Sequence, residues 1–205
     1  MSVPHDELNA ILQGTADPPA TKRRARTLSP GSWALIVSLA AFVGAVGLQL
    51  TRQQRIQPQP GQVAPVFRAP DLLNPEQQID LMDYHDSIVV LNFWGSWCPP
   101  CRAEAPDLQA IYEDYAERGV IVLGMNWLDT ERDASAFLTE FGITYPNAFD
   151  LQSRVGQLYA IQSVPETYVI DREGVVREAI LGAADYRRLA QALDRLLAAE
   201  AEQGS

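Results

Sequence analysis

Short apolar runs and amphipathic stretches alternate along most of the chain. The runs at residues 88–94 and 120–125 are mostly apolar and rich in β-branched residues, which predicts two buried strands. Two more strands are predicted at residues 167–170 and 175–180, joined by a turn at residues 172–174. Strands that alternate with helices predict an α/β fold with a central sheet covered on both faces. Helices are predicted at residues 100–117, 131–141, 154–161 and 184–199.

An uninterrupted apolar segment precedes this alternating pattern. Residues 33–50 carry no charge, and as a helix they span about 27 Å, close to the thickness of a membrane's hydrocarbon core. The four cations within residues 22–26 outnumber the two that follow the segment, so the N-terminus is expected to stay in the cytoplasm. A cleaved signal peptide is the alternative, because residues 45–47 have small side chains at the required spacing. Both interpretations export the rest of the chain.

These patterns divide the chain into four parts. We predict a cytoplasmic tail at residues 1–32, a single transmembrane anchor at 33–50, a linker at 51–62 and a folded domain at 63–200. Three prolines punctuate the polar linker region, which is expected to be extended and semi-rigid. The predicted location is the inner membrane of the cell, with the domain in the periplasm or an equivalent extracytoplasmic compartment.

Charge and the supply of ligands exclude several classes of protein. The chain carries a net charge of −10, and the part after Pro60 alone carries −13, from 10 basic and 23 acidic residues. An acidic domain is a poor candidate for nucleic-acid binding, so no nucleic-acid partner is expected. The sequence has only two cysteines and two histidines, His5 and His85. Since a structural zinc site uses four ligands, no metal and no other cofactor is predicted.

Both cysteines belong to one motif, Trp97-Cys98-Pro99-Pro100-Cys101, between a predicted strand and a predicted helix. A cysteine at the start of a helix faces unpaired N–H groups and the positive end of the helix dipole, which favour the nucleophilic thiolate. We therefore expect Cys98 to be exposed and ionised and to attack a disulfide, and Cys101, one turn later, to resolve the mixed disulfide. Pro99 and Pro100 shape the motif, because proline fixes the backbone and lacks an N–H. Half of a zinc site is the alternative, which the lack of further ligands disfavours.

Two neighbouring features bear on this chemistry. Pro165 opens a predicted strand, either as an ordinary strand-start proline or as a cis-proline, and we favour the cis form after Val164. Glu104 lies three residues after Cys101 on the same helix face. A partly buried carboxylate with a raised pKa is able to accept the proton of Cys101. The alternative is an ordinary acid near a helix start, and the spacing alone favours that alternative.

The segments LNFWGSWCPPCRAEAP and VPETYVID, with GQVAPVF upstream, resemble the TlpA/ResA/DsbE family of exported thioredoxin-like proteins. The resemblance covers about residues 61–199. It implies a thioredoxin-like fold and a reductase that works in an otherwise oxidising compartment. Such proteins commonly reduce the haem-binding cysteines of apocytochrome c during cytochrome c maturation and receive electrons from a membrane thiol transporter.

The resemblance also implies roles for residues at matched positions. It implies that Cys98 is the nucleophile, that Cys101 is the resolving cysteine of a redox-active disulfide, and that Pro165 is the cis-proline. Glu104 matches a glutamate that tunes the cysteines. Asn92 stands where ordinary thioredoxins carry a buried aspartate, and because asparagine does not titrate, proton transfer is assigned to Glu104.

The substrate is expected to contact the residues around the motif and the cis-proline loop. Trp97, Val164 and Pro165 belong to this predicted surface, and Glu166 is included because it follows the cis-proline as in the cytochrome-maturation members. The alternative for Glu166 is a solvent-facing acid at the end of a loop.

Three other functions stay open at this point. Thiol peroxidases of the AhpC/TSA type share the fold but place a threonine three residues before the reactive cysteine, where this chain has Gly95. An exported disulfide oxidase or isomerase differs from a reductase in redox potential and partners, which the residues do not define. A binding module that only docks a membrane partner is the third alternative, which the intact cysteine motif disfavours.

Overall fold

The computed structural model describes residues 30–52 and 57–203. By their internal contacts, the residues of the chain divide into two compact units, Met1–Thr51 and Arg52–Ser205. The predicted cytoplasmic tail, residues 1–32, lies almost wholly outside the described part.

Helix α1 covers Pro30–Arg52 and includes the predicted apolar helix at residues 33–50. Across the ranges that the structure describes, no helix combines the length and apolar character of a membrane-crossing segment. The anchoring role of residues 33–50 stays a prediction.

The predicted central sheet is present in the second unit, where it is a mixed sheet of five strands. Its strands are β3 at Ile88–Trp94, β4 at Val120–Trp127, β5 at Asn147–Asp150, β6 at Glu166–Ile170 and β7 at Val176–Leu181. Their order in the sheet is β5-β4-β3-β6-β7. Strand β4 runs parallel to β3 and β5, whereas β6 runs antiparallel to β3 and β7.

Helices and a small second sheet complete this unit. A two-stranded antiparallel sheet joins β1, Arg68–Pro70, to β2, Gln78–Asp80. The helices are α2 at Pro99–Tyr115, α3 at Glu131–Phe141, α4 at Arg154–Leu158 and α5 at Tyr186–Gln203. Short 3-10 turns follow β2 and α2.

Both faces of the sheet are covered, which explains the uninterrupted apolar run of β3. All seven residues of this strand are buried. Val90 and Trp94 belong to a core cluster shared with α2, α3 and α5, whereas Leu91 and Phe93 belong to the cluster on the opposite face. Side chains alternate between the faces of a strand, so the polar Asn92 points to the same side as Val90 and Trp94.

The predicted elements agree with the structure except at some ends. Helix α3 ends where predicted, because Gly142 adopts a left-handed backbone with φ 61°. Helix α4 is shorter than predicted, because Ala160 has φ 52° and the helix does not continue through it. Strands β1, β2 and β5 were not predicted, since segments of three or four residues are too short to show a period.

The segment before β1 is bound to the sheet, and we call residues 57–64 the N-terminal strap. The N–H of Gly61 donates to the carbonyl of Val176 over 2.8 Å, and that of Ala64 donates to Gly174 over 2.8 Å. Pro58 is buried. Part of the predicted linker therefore packs against the domain.

Candidate active site

Cys98 and Cys101 lie where β3 passes into α2, and their sulfurs form a disulfide with Cα atoms 5.3 Å apart. Cys98 is the N-cap residue of α2, and its Sγ accepts the N–H of Cys101 over 3.2 Å. This confirms the prediction that the first cysteine faces the start of a helix. Pro99 and Pro100 are exposed and occupy the first two helical positions, where a missing N–H leaves no bond unmade.

The expected exposure of Cys98 is wrong for this disulfide form, in which only 2% of the residue's surface is accessible. The physical reason is the loop that ends at Pro165, which packs over the sulfur. The carbonyl oxygen of Val164 lies 3.5 Å from Sγ of Cys98. The peptide bond between Val164 and Pro165 is cis, as predicted. The loop expected to face the motif therefore does so.

Trp97 is the exposed aromatic residue next to the disulfide, with 54% of its surface accessible. Its indole N–H donates to the carbonyl of Leu128 over 3.2 Å, and its ring centroid lies 6.4 Å from that of Trp127. Leu128 has φ 51°, which is unusual for a residue with a branched side chain, and it is also exposed. With Leu151, Trp97 and Leu128 line a shallow cavity of about 400 Å³.

Gly95 allows the indole of Trp97 to take this position. A Cβ atom at Gly95 would lie 2.7 Å from the indole nitrogen of Trp97, closer than van der Waals contact permits. A threonine at this position would displace the tryptophan. The site is therefore built differently from that of a peroxidase with a threonine three residues before its cysteine.

Asp129 holds the loop that leads into Cys98. One carboxylate oxygen accepts the backbone N–H of Ser96 over 2.6 Å and the amide of Asn126 over 3.0 Å. The other accepts the hydroxyl of Ser96 over 3.0 Å and the N–H of Thr130 over 2.8 Å. These four bonds join the ends of β3 and β4 beside the disulfide, because the carboxyl ends of parallel strands lie at the same edge of the sheet.

Glu104 is buried beneath the motif, with 2% of its surface accessible. Its Oε1 accepts the amide of Asn92 over 2.8 Å, and its Oε2 accepts the backbone N–H of Ala184 over 2.8 Å. The same amide nitrogen of Asn92 donates to the hydroxyl of Thr167 over 3.0 Å. The acid is therefore not an ordinary solvated one near a helix start.

Burial raises the pKa of Glu104 to about 7. The hydrogen bonds from Ala184 and Asn92 favour the charged form and oppose this rise, whereas the nearby charge of Asp107 adds to it. A carboxyl group with this pKa is divided between its two protonation states near neutral pH. It is therefore suited to accept and return a proton.

Glu166 is also buried, so it is not the solvent-facing acid of the alternative interpretation. Burial raises its pKa, and hydrogen bonds from Tyr168, from the strap residue Gln57 and from the backbone of Gln162 and Ser163 oppose that rise. Its carboxylate points away from the face that carries Asn92, toward the cluster that contains Tyr168. The two buried acids therefore lie on opposite faces of the sheet.

The sequence did not reveal three of these residues: Asp129, Asn126 and Gln57. For Asp129 a signal was present, because it lies two residues after the end of β4, at the edge of the sheet where the cysteine motif follows β3. Gln57 gave no signal, since a glutamine among polar linker residues has no distinguishing pattern.

Comparisons with known proteins agree with this geometry. The AhpC/TSA family matches residues 60–179. The thiol:disulfide interchange protein DsbE of Allochromatium vinosum is 33% identical over 165 residues, which cover 80% of this chain and 89% of that protein. The thiol-disulfide oxidoreductase ResA of Oceanobacillus iheyensis is 33% identical, over 76% of this chain and 81% of its own.

A solved structure shows the same fold. A protein of Chlorobium tepidum described as a thiol:disulfide interchange protein DsbE superposes with a TM-score of 0.63. It is 29% identical, and the match covers 69% of this chain and 99% of that one. With its thioredoxin-like sheet and its disulfide at the start of α2, this chain belongs to the AhpC/TSA family and, within it, is a thiol-disulfide oxidoreductase of the DsbE and ResA kind.

Proposed function

We propose that this enzyme works as a dithiol reductase on exported proteins, with the CxxCH segments of apocytochrome c as the expected substrate class. The observation that carries the proposal is the buried Glu104, whose pKa of about 7 supplies a proton acceptor on the helix of the resolving cysteine. The reductive direction is taken from the resemblance of the motif to the cytochrome-maturation proteins.

The first step is attack by Cys98. In the reduced enzyme, the N–H of Cys101 and the start of α2 stabilise the Cys98 thiolate. This thiolate attacks a substrate disulfide, so that one sulfur–sulfur bond forms to Cys98 and the substrate's own bond breaks. One substrate sulfur leaves as a thiolate and takes a proton from water, and a mixed disulfide remains.

The second step is resolution by Cys101. Cys101 is buried, so its proton needs an acceptor within the protein, and Glu104 takes this role. The Cys101 thiolate attacks Sγ of Cys98, the second substrate sulfur leaves, and Glu104 releases its proton to the products. The substrate gains two electrons, and the enzyme is left with the Cys98–Cys101 disulfide seen in the structure.

A further turnover needs two electrons from outside the chain. We propose that a membrane thiol donor supplies them by the same exchange in reverse, with Cys98 again the attacked sulfur. The surface around Trp97 is shared by donor and substrate in this scheme, because both must reach Cys98 past the loop that covers it.

Export of the domain is part of the proposal. It is supported by the charge-free residues 33–50 and the cations just before them. Retention at the membrane is the expected outcome and cleavage the alternative. Protease treatment of intact spheroplasts tests export, and N-terminal sequencing of the mature protein separates the anchor from the cleaved leader.

A peroxidase function is disfavoured by the site, because Gly95 stands where such enzymes have a threonine, and a Cβ atom there would displace the indole of Trp97. Rapid consumption of hydrogen peroxide by the purified enzyme would restore that alternative. A docking module without chemistry predicts full function in cells when both cysteines are changed to serine.

One measurement on the purified enzyme tests the direction, and one experiment in cells tests the substrate class. We expect a redox potential well below about −180 mV, as reductases have, whereas a value well above it indicates an oxidase or isomerase. In cells, Cys101→Ala should trap its substrates as mixed disulfides with Cys98, and Cys98→Ala is the matched control that should trap none. Recovery of c-type apocytochromes supports the proposed substrate class, and their absence among the trapped proteins contradicts it.

A further inference from the structure

The carboxylate of Glu166 receives hydrogen bonds from the N-terminal strap and from its own strand. The side-chain amide of Gln57, in the strap, lies 3.0 Å from each carboxylate oxygen. The hydroxyl of Tyr168, on the same strand, donates to Oε2 over 3.1 Å. The backbone N–H groups of Gln162 and Ser163 also act on this carboxylate and lower its pKa. The buried carboxylate therefore has polar partners, which offset part of the cost of its burial.

Two of these donors belong to the loop that covers the reactive sulfur. Gln162 and Ser163 directly precede Val164, whose carbonyl oxygen lies 3.5 Å from Sγ of Cys98. Glu166 directly follows the cis-proline Pro165 of this loop, and its carboxylate interacts with the two N–H groups, so it helps to hold the loop. The position of the Val164 carbonyl therefore depends on where the Glu166 carboxylate is held.

Gln57 is the partner of Glu166 that comes from outside this region, 109 residues away in the sequence. The strap that carries it is fixed to the sheet by the bond from Gly61 to Val176. Gln57 is half-buried, whereas Glu166 is buried, so the amide both donates to the carboxylate and covers it. Without this amide, the carboxylate would lose a donor and gain contact with water.

We propose that Gln57 is a positioning residue for thiol–disulfide exchange. It holds Glu166, Glu166 holds the loop at residues 162–165, and this loop places the carbonyl of Val164 against Sγ of Cys98. Gln57 touches neither the substrate nor the reacting sulfur. The inference rests on exchange at Cys98 and not on which protein is reduced.

The carbonyl and the helix act on the sulfur in opposite directions. The N–H of Cys101 favours the thiolate, whereas a carbonyl oxygen near the sulfur favours the protonated thiol, to which it can act as acceptor. If the loop loosens, the thiolate is less disfavoured, but the surface that presents the substrate to Cys98 is no longer fixed. A change at Gln57 should therefore ease alkylation at low pH and slow protein reduction.

The test uses the reduced full chain with two probes, iodoacetamide for Cys98 and insulin as a protein disulfide. For Gln57→Ala, we expect the midpoint of the alkylation pH profile to fall by about half a unit. We expect kcat/KM for insulin to fall about tenfold, since a bond to a buried charge is lost. Gln78→Ala is the matched control, because Gln78 is an exposed glutamine of β2 that bonds only locally to the carbonyl of Gln77.

Gln57→Glu adds a pH signature that a purely structural role would not produce. Two facing carboxylates repel each other near neutral pH, and a shared proton relieves the repulsion as the pH falls. The titratable neighbour in contact with Glu166 is Tyr168, which stays protonated because burial and Glu166 raise its pKa, while the strap and loop contribute uncharged groups. The deficit of Gln57→Glu relative to Gln57→Ala should therefore be larger near pH 8 than near pH 5.

These outcomes decide the inference. It is overturned if Gln57→Ala matches Gln78→Ala in both the alkylation midpoint and kcat/KM. It is also overturned if Gln57→Ala lowers only the melting temperature, because this would leave a structural role alone. If Gln57→Glu does not fold, Gln57→Ala decides the question by itself. If the wild-type enzyme does not exchange disulfides at all, the assigned oxidoreductase activity is contradicted, and with it the inference.

Discussion

The amide of Asn92 donates to Oε1 of Glu104 over 2.8 Å, between the strand that leads into Cys98 and the helix that carries Cys101. Both residues are buried. Because Asn92 does not titrate, the proton that moves on this pair belongs to Glu104 alone. Ordinary thioredoxins carry a buried, titrating aspartate at the position of Asn92. This chain has a neutral donor on the strand instead, and the titrating acid lies on the helix.

Glu104→Gln should separate stability from activity. The folded-state pKa of about 7 lies above the unfolded value of 4.5, so the acid's contribution to stability is full below 4.5 and is lost as the pH rises to 7. This difference amounts to about 3 kcal/mol. In urea unfolding, the free energy of unfolding of Glu104→Gln relative to that of the wild type should rise by about 3 kcal/mol from about pH 4 to about pH 8.

The same variant should be slow in resolution, because a glutamine does not accept the proton of Cys101. Stopped-flow measurement of mixed-disulfide decay should show a loss of about 10²-fold or more at neutral pH. Glu117→Gln is the matched control, since Glu117 is exposed in the turn after α2. Unchanged decay in Glu104→Gln would remove Glu104 from the mechanism.

Asn92→Asp should place two carboxyl groups within hydrogen-bonding distance, where they share one proton. Like charges disfavour the doubly ionised state, so the second ionisation moves above the present pKa of about 7. The rising limb of the pH–rate profile, which reports ionisation of the proton acceptor, should shift upward by about one unit or more. Disulfide-exchange rates measured across the pH range check this shift, and an unmoved profile argues against coupling between positions 92 and 104.

Trp97→Ala should affect protein substrates far more than small disulfides. The exposed indole contributes little to the core but, with Leu128 and Leu151, lines the shallow cavity described above. Loss of an aromatic contact residue should raise KM for a reducible protein about tenfold. The rate with a small aromatic disulfide reagent serves as the reference, and an equal loss for both would indicate a disturbed motif.

Asp129→Ala should loosen the loop before Cys98, because four donors lose their acceptor, including the N–H and hydroxyl of Ser96. The free energy of unfolding should fall by about 2–4 kcal/mol. Glu131→Ala, at an exposed position two residues on, should change it by less than about 1 kcal/mol. Similar losses in the two variants would show that the carboxylate of Asp129 is not a special contact.

The strands and helices near the motif were predictable because their signals are local. The apolar run of β3 reflects burial on both faces, and Gly142 marks the end of α3 through its own backbone preference. Strand β5 was not predictable, since Asn147–Asp150 is stabilised by pairing with β4 and not by any period of its own.

The site was predictable only where the chemistry lies in neighbouring residues. The cysteine motif and the helical spacing of Glu104 are visible in the sequence. Whether Glu104 is solvated or buried depends on Asn92 and on Ala184, 80 residues away, so spacing alone favoured the wrong alternative. The covering of Cys98 by Val164 and the role of Gln57 depend on contacts across 66 and 109 residues, which no local pattern reports.

The central claim is that Cys98 attacks and Cys101 resolves with Glu104 as proton acceptor. The most direct measurement is mass-spectrometric mapping of sub-stoichiometric iodoacetamide labelling on the reduced enzyme at neutral pH. We predict that label falls on Cys98 alone in the wild type and stays there in Glu104→Gln, while Cys101 labels only after denaturation. Preferential labelling of Cys101 in the folded enzyme would contradict the account.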